Sequence, residues 1–215
     1  LQCLLSAGTT VRVLSNAIDP EEWSPGPEIS GGELIVAAVT RLAPRKRVDR
    51  LLRIARQVKE RGFDGERVRF QIAGDGPQAK KLQDQARAMG LADTVQFLGN
   101  LDHAGIRALF ARSGLFVLPS ELESFGLAAL EARATGLPVL AMASSGVSGW
   151  LKSGVEGLLA SDEAQLTEQV MQVITDNALR DALATHNRIT PVGYTWTNAL
   201  REYEAIYAEA KRKAE

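Results

Sequence analysis

The sequence has very little cysteine, no long apolar run and no excess of charge of either sign. Its one cysteine, Cys3, excludes an internal disulfide and is typical of a reducing compartment. The longest uninterrupted apolar stretch, Leu137–Ala143, is far shorter than the ~18 residues that a membrane-spanning helix needs. Because 45% of the 215 residues are hydrophobic, the composition is that of an ordinary globular protein. A disordered, collagenous or disulfide-stapled chain is excluded.

The near-zero net charge of −1 hides an uneven distribution along the chain. Residues 41–61 carry nine basic and two acidic side chains, which leaves 16 basic and 24 acidic residues elsewhere. A local positive site on an acidic body favours a small anion over a nucleic-acid duplex, which would need a broad basic face. We therefore expect no nucleic-acid partner.

Short β-branched runs alternate with longer helical patterns over most of the chain. Strands are predicted at Arg12–Leu14, Leu34–Val39, Arg69–Ala73, Thr94–Leu98, Leu115–Leu118, Pro138–Ala141 and Gly157–Leu159. Helices are predicted at 47–61, 78–89, 104–112, 126–135, 163–175, 179–187 and 197–213. Most of the strands are continuous apolar runs, typical of strands covered on both faces. The order predicts an α/β fold, an open parallel sheet of right-handed βαβ units with helices on both faces.

Two segments outside the sheet carry further predictions. The last helix is expected to bury Leu200, Tyr203, Ile206 and Tyr207, which recur at helical spacing. The Pro-, Gly- and acid-rich segment Asp19–Gly32 is interpreted as a surface loop.

The first notable strand end follows Leu34–Val39 and is strongly basic. Arg45, Lys46 and Arg47 crowd the start of the next helix, where the helix dipole disfavours cations. A bound anion such as a phosphate would neutralise them. The alternative is a solvated basic face of that helix, formed with Arg50, Arg53 and Arg56.

The second strand end carries Gly74-Asp75-Gly76, with Pro77 predicted at the first position of a helix. Read through to Ala79, it meets a loose dinucleotide-binding pattern, so an NAD-dependent oxidoreductase is an alternative function. No acid follows the next strand at Asn100, where a ribose-binding carboxylate belongs. The glycines taken alone indicate a structural turn.

The third strand end leads from Pro119 into a mostly apolar helix. Ser124 is predicted as its N-cap, and Gly126 removes side-chain bulk so that the first helical N–H groups face an approaching ligand. Glu131 lies inside that helix and needs a partner. Sugar hydroxyls, Arg133 or a backbone cap would each serve.

These motifs are far more specific in combination than any one of them is alone. The joint pattern is Arg41 with Lys46 five residues later, Gly74-x-Gly76-Pro77, Pro119-Ser120-x-x-Glu123-x-Phe125-Gly126, and Glu131 eight residues after Glu123. It resembles the C-terminal, nucleotide-sugar-binding half of glycosyltransferase family 4, the group 1 retaining glycosyltransferases of GT-B fold. The resemblance runs from Val13–Asp19 to Tyr194-Thr195-Trp196 and so covers essentially the whole chain.

The resemblance implies one Rossmann-like donor-binding domain over residues 1–215, with an acceptor-binding domain upstream of Leu1. The donor would be a UDP-, GDP- or ADP-sugar and the acceptor a carbohydrate or a lipid-linked group. The chain alone would bind its donor but hardly transfer the sugar. The parent enzyme would be cytoplasmic, with a possible peripheral contact at the inner face of a membrane. A non-catalytic nucleotide-binding module is the alternative.

The resemblance also assigns roles to individual residues. Arg41 and Lys46 would hold the donor diphosphate, and Glu123 would face the transferred sugar. The other donor-binding positions are Gly74, Gly76, Asn100 near the base, Ser124, Phe125, Gly126, Leu127 and Glu131 at the ribose. No Asp-x-Asp occurs in the chain, so neither a metal ion nor another cofactor is expected. The sequence departs from the family pattern at Arg47, where glycine is usual, and at Gly149, where glutamate is common.

Overall fold

A sheet of six parallel strands forms the centre of the molecule in the computed structural model, which describes residues 14–25 and 32–214. The strands are β1 Leu34–Val39, β2 Val68–Ala73, β3 Val95–Gly99, β4 Leu115–Leu118, β5 Val139–Met142 and β6 Gly157–Ala160. Each confirms a predicted strand to within one residue at either end. The strand predicted at Arg12–Leu14 lies outside the described residues except for Leu14, which is in no strand.

The strand order is β3-β2-β1-β4-β5-β6, and every neighbouring pair is parallel. Because the chain returns to the centre after β3, the order reverses between β1 and β4. Ala37 on β1, Phe116 on β4 and Val139 on β5 have no exposed surface. Their complete burial explains the continuous apolar runs and confirms the predicted Rossmann-like α/β sheet.

Seven α-helices surround this sheet in the described ranges. They are α1 Val48–Glu60, α2 Ala79–Ala88, α3 His103–Ala111, α4 Leu127–Ala134, α5 Glu163–Thr175, α6 Asn177–Ile189 and α7 Trp196–Ala214. Short 3₁₀ turns at Pro44–Lys46 and Gly146–Gly149 precede α1 and follow β5. Two separate apolar clusters result, one beneath α1, α2 and α5 and the other beneath α3 and α4. Helices therefore cover both faces of the sheet, as predicted.

The predicted surface loop Asp19–Gly32 is described only up to Pro25 and at Gly32. The one large apolar residue of the part up to Pro25, Trp23, is 2% exposed and packs against the rings of His103 and Phe110, each with a centroid distance of 5.9 Å. This part of the segment is consequently anchored on α3 by a buried side chain.

The prediction that α7 buries its apolar stripe is wrong. Leu200 and Tyr207 are 56% and 72% exposed, Tyr203 is 41% exposed, and Ile206 is only half-buried. Periodicity identifies an amphipathic helix but does not say which surface covers it. No helix in the described ranges is both long and apolar enough to cross a membrane.

Candidate functional site

The loops that follow β1, β2 and β3 are joined by backbone hydrogen bonds at one edge of the sheet. Thr40 N–H donates to the Ala73 carbonyl over 3.0 Å, and Leu42 N–H to the Asp75 carbonyl over 2.9 Å. Gly74 N–H donates to the Gly99 carbonyl over 2.7 Å. The edge is formed by carboxyl ends of parallel strands and includes the point where the strand order reverses. Ligands of open α/β sheets bind at such a point.

Gly74 and Gly76 allow the loops after β1 and β2 to approach each other closely. Gly74 has φ +130°, and a Cβ there would lie 1.9 Å from the Thr40 carbonyl oxygen. A Cβ on Gly76 would lie 2.5 Å from the Leu42 carbonyl oxygen. The structural-turn interpretation is thus supported. The prediction for Pro77 is wrong, because α2 begins only at Ala79.

The same geometry argues against the dinucleotide alternative. The first strand of a dinucleotide-binding sheet carries the glycine pattern at its carboxyl end, beside the point where the order reverses. Here the pattern follows β2, one strand away from that point.

A cleft of about 340 Å³ opens where these loops meet. It is lined by Val39, Thr40, Arg41, Ala73, Gly74, Asp75, Asn100, Leu101 and Ile106. The side chain of Arg41 is exposed and has no hydrogen-bond or ion-pair partner among the described residues. The lining thus combines apolar side chains with polar ones and with a cation that pairs with no described acid, which suits a ligand that has both an apolar part and a negative charge.

Lys46 and Glu123 form an ion pair between the β1–α1 loop and the β4–α4 loop. The Lys46 Nζ lies 2.5 Å from Glu123 Oε2, and the two side chains are only 14% and 17% exposed. Lys46 ends the 3₁₀ turn before α1, whereas Glu123 lies in the loop between β4 and α4. The fold therefore brings together two predicted site residues that are 77 positions apart.

Arg47 separates that 3₁₀ turn from α1 in a left-handed backbone conformation, with φ 51°. It is the one non-glycine residue with positive φ among those the structure describes. Glycine adopts this conformation without strain, whereas a side chain there is strained, so the conformation agrees with the glycine that the family resemblance implies at this position. The Arg47 Nε donates to Asp49 over 3.3 Å.

The N-terminus of α4 is shaped by Gly126. Gly126, with φ +81°, is the N-cap, so the prediction of Ser124 as the cap is wrong. With this left-handed glycine as the cap, the helix begins at Leu127. A Ser124 cap would require it to begin two residues earlier, at Phe125. No described side chain caps α4, and its first N–H groups lack the usual partner.

Aromatic packing supports the residue before this glycine. The Phe125 ring meets the Tyr194 ring edge-on at 5.4 Å and the Trp150 ring at 6.2 Å. The Trp150 Nε1 donates to the Phe125 carbonyl over 2.8 Å, and Gly146 N–H donates to the Glu123 carbonyl over 2.7 Å. Trp150 is not predicted from the sequence as a supporting residue, because it lies 25 positions from Phe125 and only the fold brings the two together.

Glu131, half-buried in α4, has no hydrogen-bond partner among the described residues. Burial raises the pKa of its carboxyl group, Glu22 adds to the rise, and His103 opposes it. Arg133 is not its partner, because that guanidinium donates to Glu156 over 2.9 Å and to the Thr190 carbonyl over 2.5 Å. Of the three partners considered from the sequence, a ligand hydroxyl is the one that this arrangement favours.

The interpretation of a solvated basic face on α1 is wrong for two of its members. Arg50 is 6% exposed, and both Arg50 and Arg53 donate to Glu163 of α5. The hydrogen bonds from Arg53 lower the pKa of Glu163 below its ordinary value. Arg56 is exposed as predicted and pairs with Glu60.

The predicted site residues thus fall into three groups along one edge of the sheet. Arg41, Gly74 and Asn100 line the cleft, and Lys46 and Glu123 are in contact. A third group lies at the start of α4 or within it, and Gly76 lies in the neighbouring turn. The members of the third group are Ser124, Phe125, Gly126, Leu127 and Glu131. No described hydrogen bond or ion pair joins Arg41 to Lys46 or Glu123.

Comparison with known proteins gives a consistent family. The model of the family described as "Glycosyl transferases group 1" matches residues 19–189. The chain is 29% identical to the phosphatidylinositol N-acetylglucosaminyltransferase gpi3 subunit of Schizosaccharomyces pombe, over 92% of this chain and 43% of that protein. It is 32% identical to a glycogen synthase of Mycobacterium tuberculosis, over 94% of this chain and 49% of that one. The chain spans about half the length of the curated relatives it matches.

Solved structures of low sequence identity share the fold. Sucrose-phosphate synthase from Thermosynechococcus elongatus superimposes with a TM-score of 0.82 at 22% identity, covering 99% of this chain and 55% of that one. Anabaena HepE, in complex with UDP and glucose, gives 0.77 at 21% identity, covering 91% and 56%. These likenesses confirm the predicted fold class, one half of a GT-B fold.

Proposed function

Because this chain belongs to the group 1 glycosyl transferases, we propose that it is the donor-binding domain of a retaining enzyme. The enzyme would transfer a sugar from a nucleoside diphosphate sugar to an acceptor hydroxyl. The observation that carries the proposal is the unpaired Arg41 in the cleft at the carboxyl ends of β1, β2 and β3. An exposed cation without an acid partner, beside a glycine-lined cleft, suits a diphosphate.

The charges at this edge fit the needs of glycosyl transfer. Cleavage of the bond between the sugar and the nucleotide leaves growing negative charge on the diphosphate. Arg41, Lys46 and the uncapped N-terminus of α4 are donors that would stabilise this charge, an effect typically worth several kcal/mol. Cationic side chains in this role would replace a divalent metal ion, and we propose that the reaction uses none.

Donor binding would rearrange the Lys46–Glu123 pair. With Lys46 2.5 Å from the carboxylate, the diphosphate would compete with Glu123 for the ammonium group. A Lys46 that turns to the phosphates releases the Glu123 carboxylate. The freed oxygens would accept hydrogen bonds from the hydroxyls of the transferred sugar.

The nucleoside would occupy the remaining polar and apolar surfaces. Glu131 lacks a partner and has a raised pKa, so ribose hydroxyls that donate to it would relieve its isolation. The base would lie in the cleft near Asn100 and Ile106. HepE, which shares the fold, is described in complex with UDP, and this supports a uridine nucleotide as the first ligand to test.

The acceptor would be bound by sequence that this chain does not contain. The relatives are about twice as long as the part of them that is matched, which supports a second domain in the parent enzyme. We propose that the chain alone binds its donor and transfers sugar at a negligible rate.

Calorimetric titration of the purified chain with UDP-, GDP- and ADP-sugars tests this function. We expect one of the three to bind and the Lys46→Ala variant to lose most of that affinity. Arg56→Ala is the matched control, because Arg56 lies on α1, the helix that follows Lys46, but pairs with Glu60 away from the cleft. Failure of all three sugars to bind at millimolar concentration contradicts the proposal. Full turnover by this chain would contradict the need for a second domain.

A further inference from the structure

Arg50 makes three different contacts from a buried position on α1. Its Nη1 donates to the Pro119 carbonyl over 3.0 Å, its Nη2 to Glu121 over 2.5 Å, and its Nε to Glu163 over 3.1 Å. The side chain is only 8% exposed. The donors of a guanidinium group are fixed in one plane. Because Arg50 donates to three acceptors at once, its position and theirs are fixed relative to one another.

Two of these acceptors belong to the loop that carries Glu123. Pro119 directly follows β4, and Glu121 lies two residues before Glu123. On the far side of Glu121, the Glu123 carbonyl is fixed by Gly146 N–H over 2.7 Å. The Glu123 backbone is therefore held from both directions along the chain, by Arg50 on one side and by Gly146 on the other.

The loop between β4 and α4 is contacted from two places near the start of α1, the turn that contains Lys46 and the first helical turn that contains Arg50. Lys46 contacts the Glu123 carboxylate, and Arg50, four residues later, contacts the backbone and side chain before it. Between the two contacts Leu122 is 72% exposed, so its side chain adds little packing to the loop. Polar contacts from Arg50 and Lys46 therefore act together with the Gly146 hydrogen bond to place the Glu123 carboxylate.

We infer that Arg50 is a positioning residue, which sets the place of the sugar-facing carboxylate of Glu123 without touching the donor itself. This inference rests on the proposed function, in which Glu123 binds the transferred sugar. It separates Arg50 from Arg41 and Lys46, whose charges would meet the diphosphate directly. A positioning role predicts that loss of Arg50 weakens recognition of the sugar and spares recognition of the nucleotide.

The test compares the nucleotide sugar that binds the wild-type chain with its nucleoside diphosphate. Calorimetry is performed on wild type, Arg50→Lys, which keeps the charge but loses the fork, and Glu121→Gln. Glu121 is 44% exposed in its side chain, so its substitution leaves the fold intact even if Arg50→Lys does not fold. We expect Arg50→Lys to weaken binding of the nucleotide sugar about 10-fold and Glu121→Gln about 3-fold, with the diphosphate changed less than about 2-fold.

A double-mutant cycle gives the readout that a merely structural role would not move. In a Glu123→Ala background, Arg50→Lys should weaken sugar-nucleotide binding by less than about 2-fold, because the group that it positions is gone. Arg56→Lys is the control and should change neither affinity. Equal losses for both ligands, or an undiminished loss in the Glu123→Ala background, overturn the inference while the proposed function stands. Absence of wild-type binding overturns the proposed function and this inference with it.

Discussion

Two sets of cations, encoded in one short stretch of sequence, have opposite surroundings in the fold. Arg50 and Arg53 on α1 are matched by carboxylates, chiefly Glu163. Arg41, a few residues earlier, has no acid partner within the described ranges and lies at the mouth of a cleft. A cation that the protein neutralises itself is costly to remove, because its acid partners then lack a cation, whereas a cation left without a partner is available to a ligand.

The largest expected effect on stability concerns Arg50 in the matched set, by which we mean Arg50 and Arg53, the arginines of α1 that pair with carboxylates. Arg50→Ala removes three hydrogen bonds and leaves Glu121 without its cation, while Glu163 keeps Arg53, so we expect the free energy of unfolding to fall by about 3 kcal/mol. Chemical denaturation measures this change. Arg56→Ala removes an exposed pair from the same helix and should cost less than about 0.5 kcal/mol. Equal effects of the two substitutions would contradict the distinction between matched and unmatched arginines.

The next effect concerns Arg41, which is unmatched because it has no acid partner among the residues that the structure describes. Here we expect the affinity for a ligand to change and the stability to stay the same. Arg41→Ala should weaken binding of a nucleoside diphosphate about 10- to 100-fold by removing charge-assisted hydrogen bonds. Its unfolding free energy should stay within about 0.5 kcal/mol of wild type, because the side chain is exposed and has no described partner. Calorimetry and denaturation on the same preparation check both parts. A destabilised protein with normal affinity would show that Arg41 belongs to the matched set.

Glu131 extends the comparison to an acid that has no cation. Glu131→Gln should raise the unfolding free energy at neutral pH by about 1 kcal/mol, because a buried carboxylate without a partner is removed. The same substitution should weaken nucleotide binding. The folded pKa is raised, so the unfolded chain loses its proton first and wild-type stability declines as pH rises from about 4.5 through the raised value.

This decline should be absent from the Glu131→Gln variant, and denaturation between pH 4 and 8 measures it. A wild-type stability that instead rises through the same range, relative to the variant, would mean that a fixed cation compensates Glu131 in the protein.

The smallest effect concerns Arg47, which lies between the two sets in the sequence. Arg47→Gly should raise the unfolding free energy by about 0.5 kcal/mol, since relief of the left-handed strain exceeds the loss of a partly exposed pair with Asp49. Arg47→Asn, which tolerates positive φ, should fall between the two. Denaturation midpoints measured side by side settle the order. A lower stability for glycine than for arginine would show that the Asp49 pair dominates.

Local sequence predicted the sheet and most of the helices closely. The helix α5 begins at Glu163 and ends at Thr175, as predicted, since Asp162 caps it and its apolar residues recur with a helical period. By contrast, the start of α4 depends on the left-handed conformation of Gly126, which is compatible with the close approach of Val147 from a distant turn. That contact is invisible in a local window of sequence.

The candidate site also has features that the local sequence predicts and features that only the fold reveals. The family resemblance predicts Lys46 and Glu123 as site residues, but nothing in the local sequence says that they form an ion pair at 2.5 Å. The misreading of the α1 arginines has the same origin. Arg50 meets Glu121 and Glu163, which lie 71 and 113 positions away along the chain. The exposed face of α7 is a further case, because periodicity does not specify what packs against a helix.

By itself the sequence determined the alternation of strands and helices, the glycines at the tight turns and the residue types of the proposed nucleotide-sugar site. These depend on backbone preference and apolar period, which act over a few residues. Only the tertiary structure decided which arginines are neutralised by carboxylates and which remain free for a ligand. Charge pairing depends on distances of a few ångströms between groups far apart in the chain, and these distances exist only once the sheet and its helices have assembled.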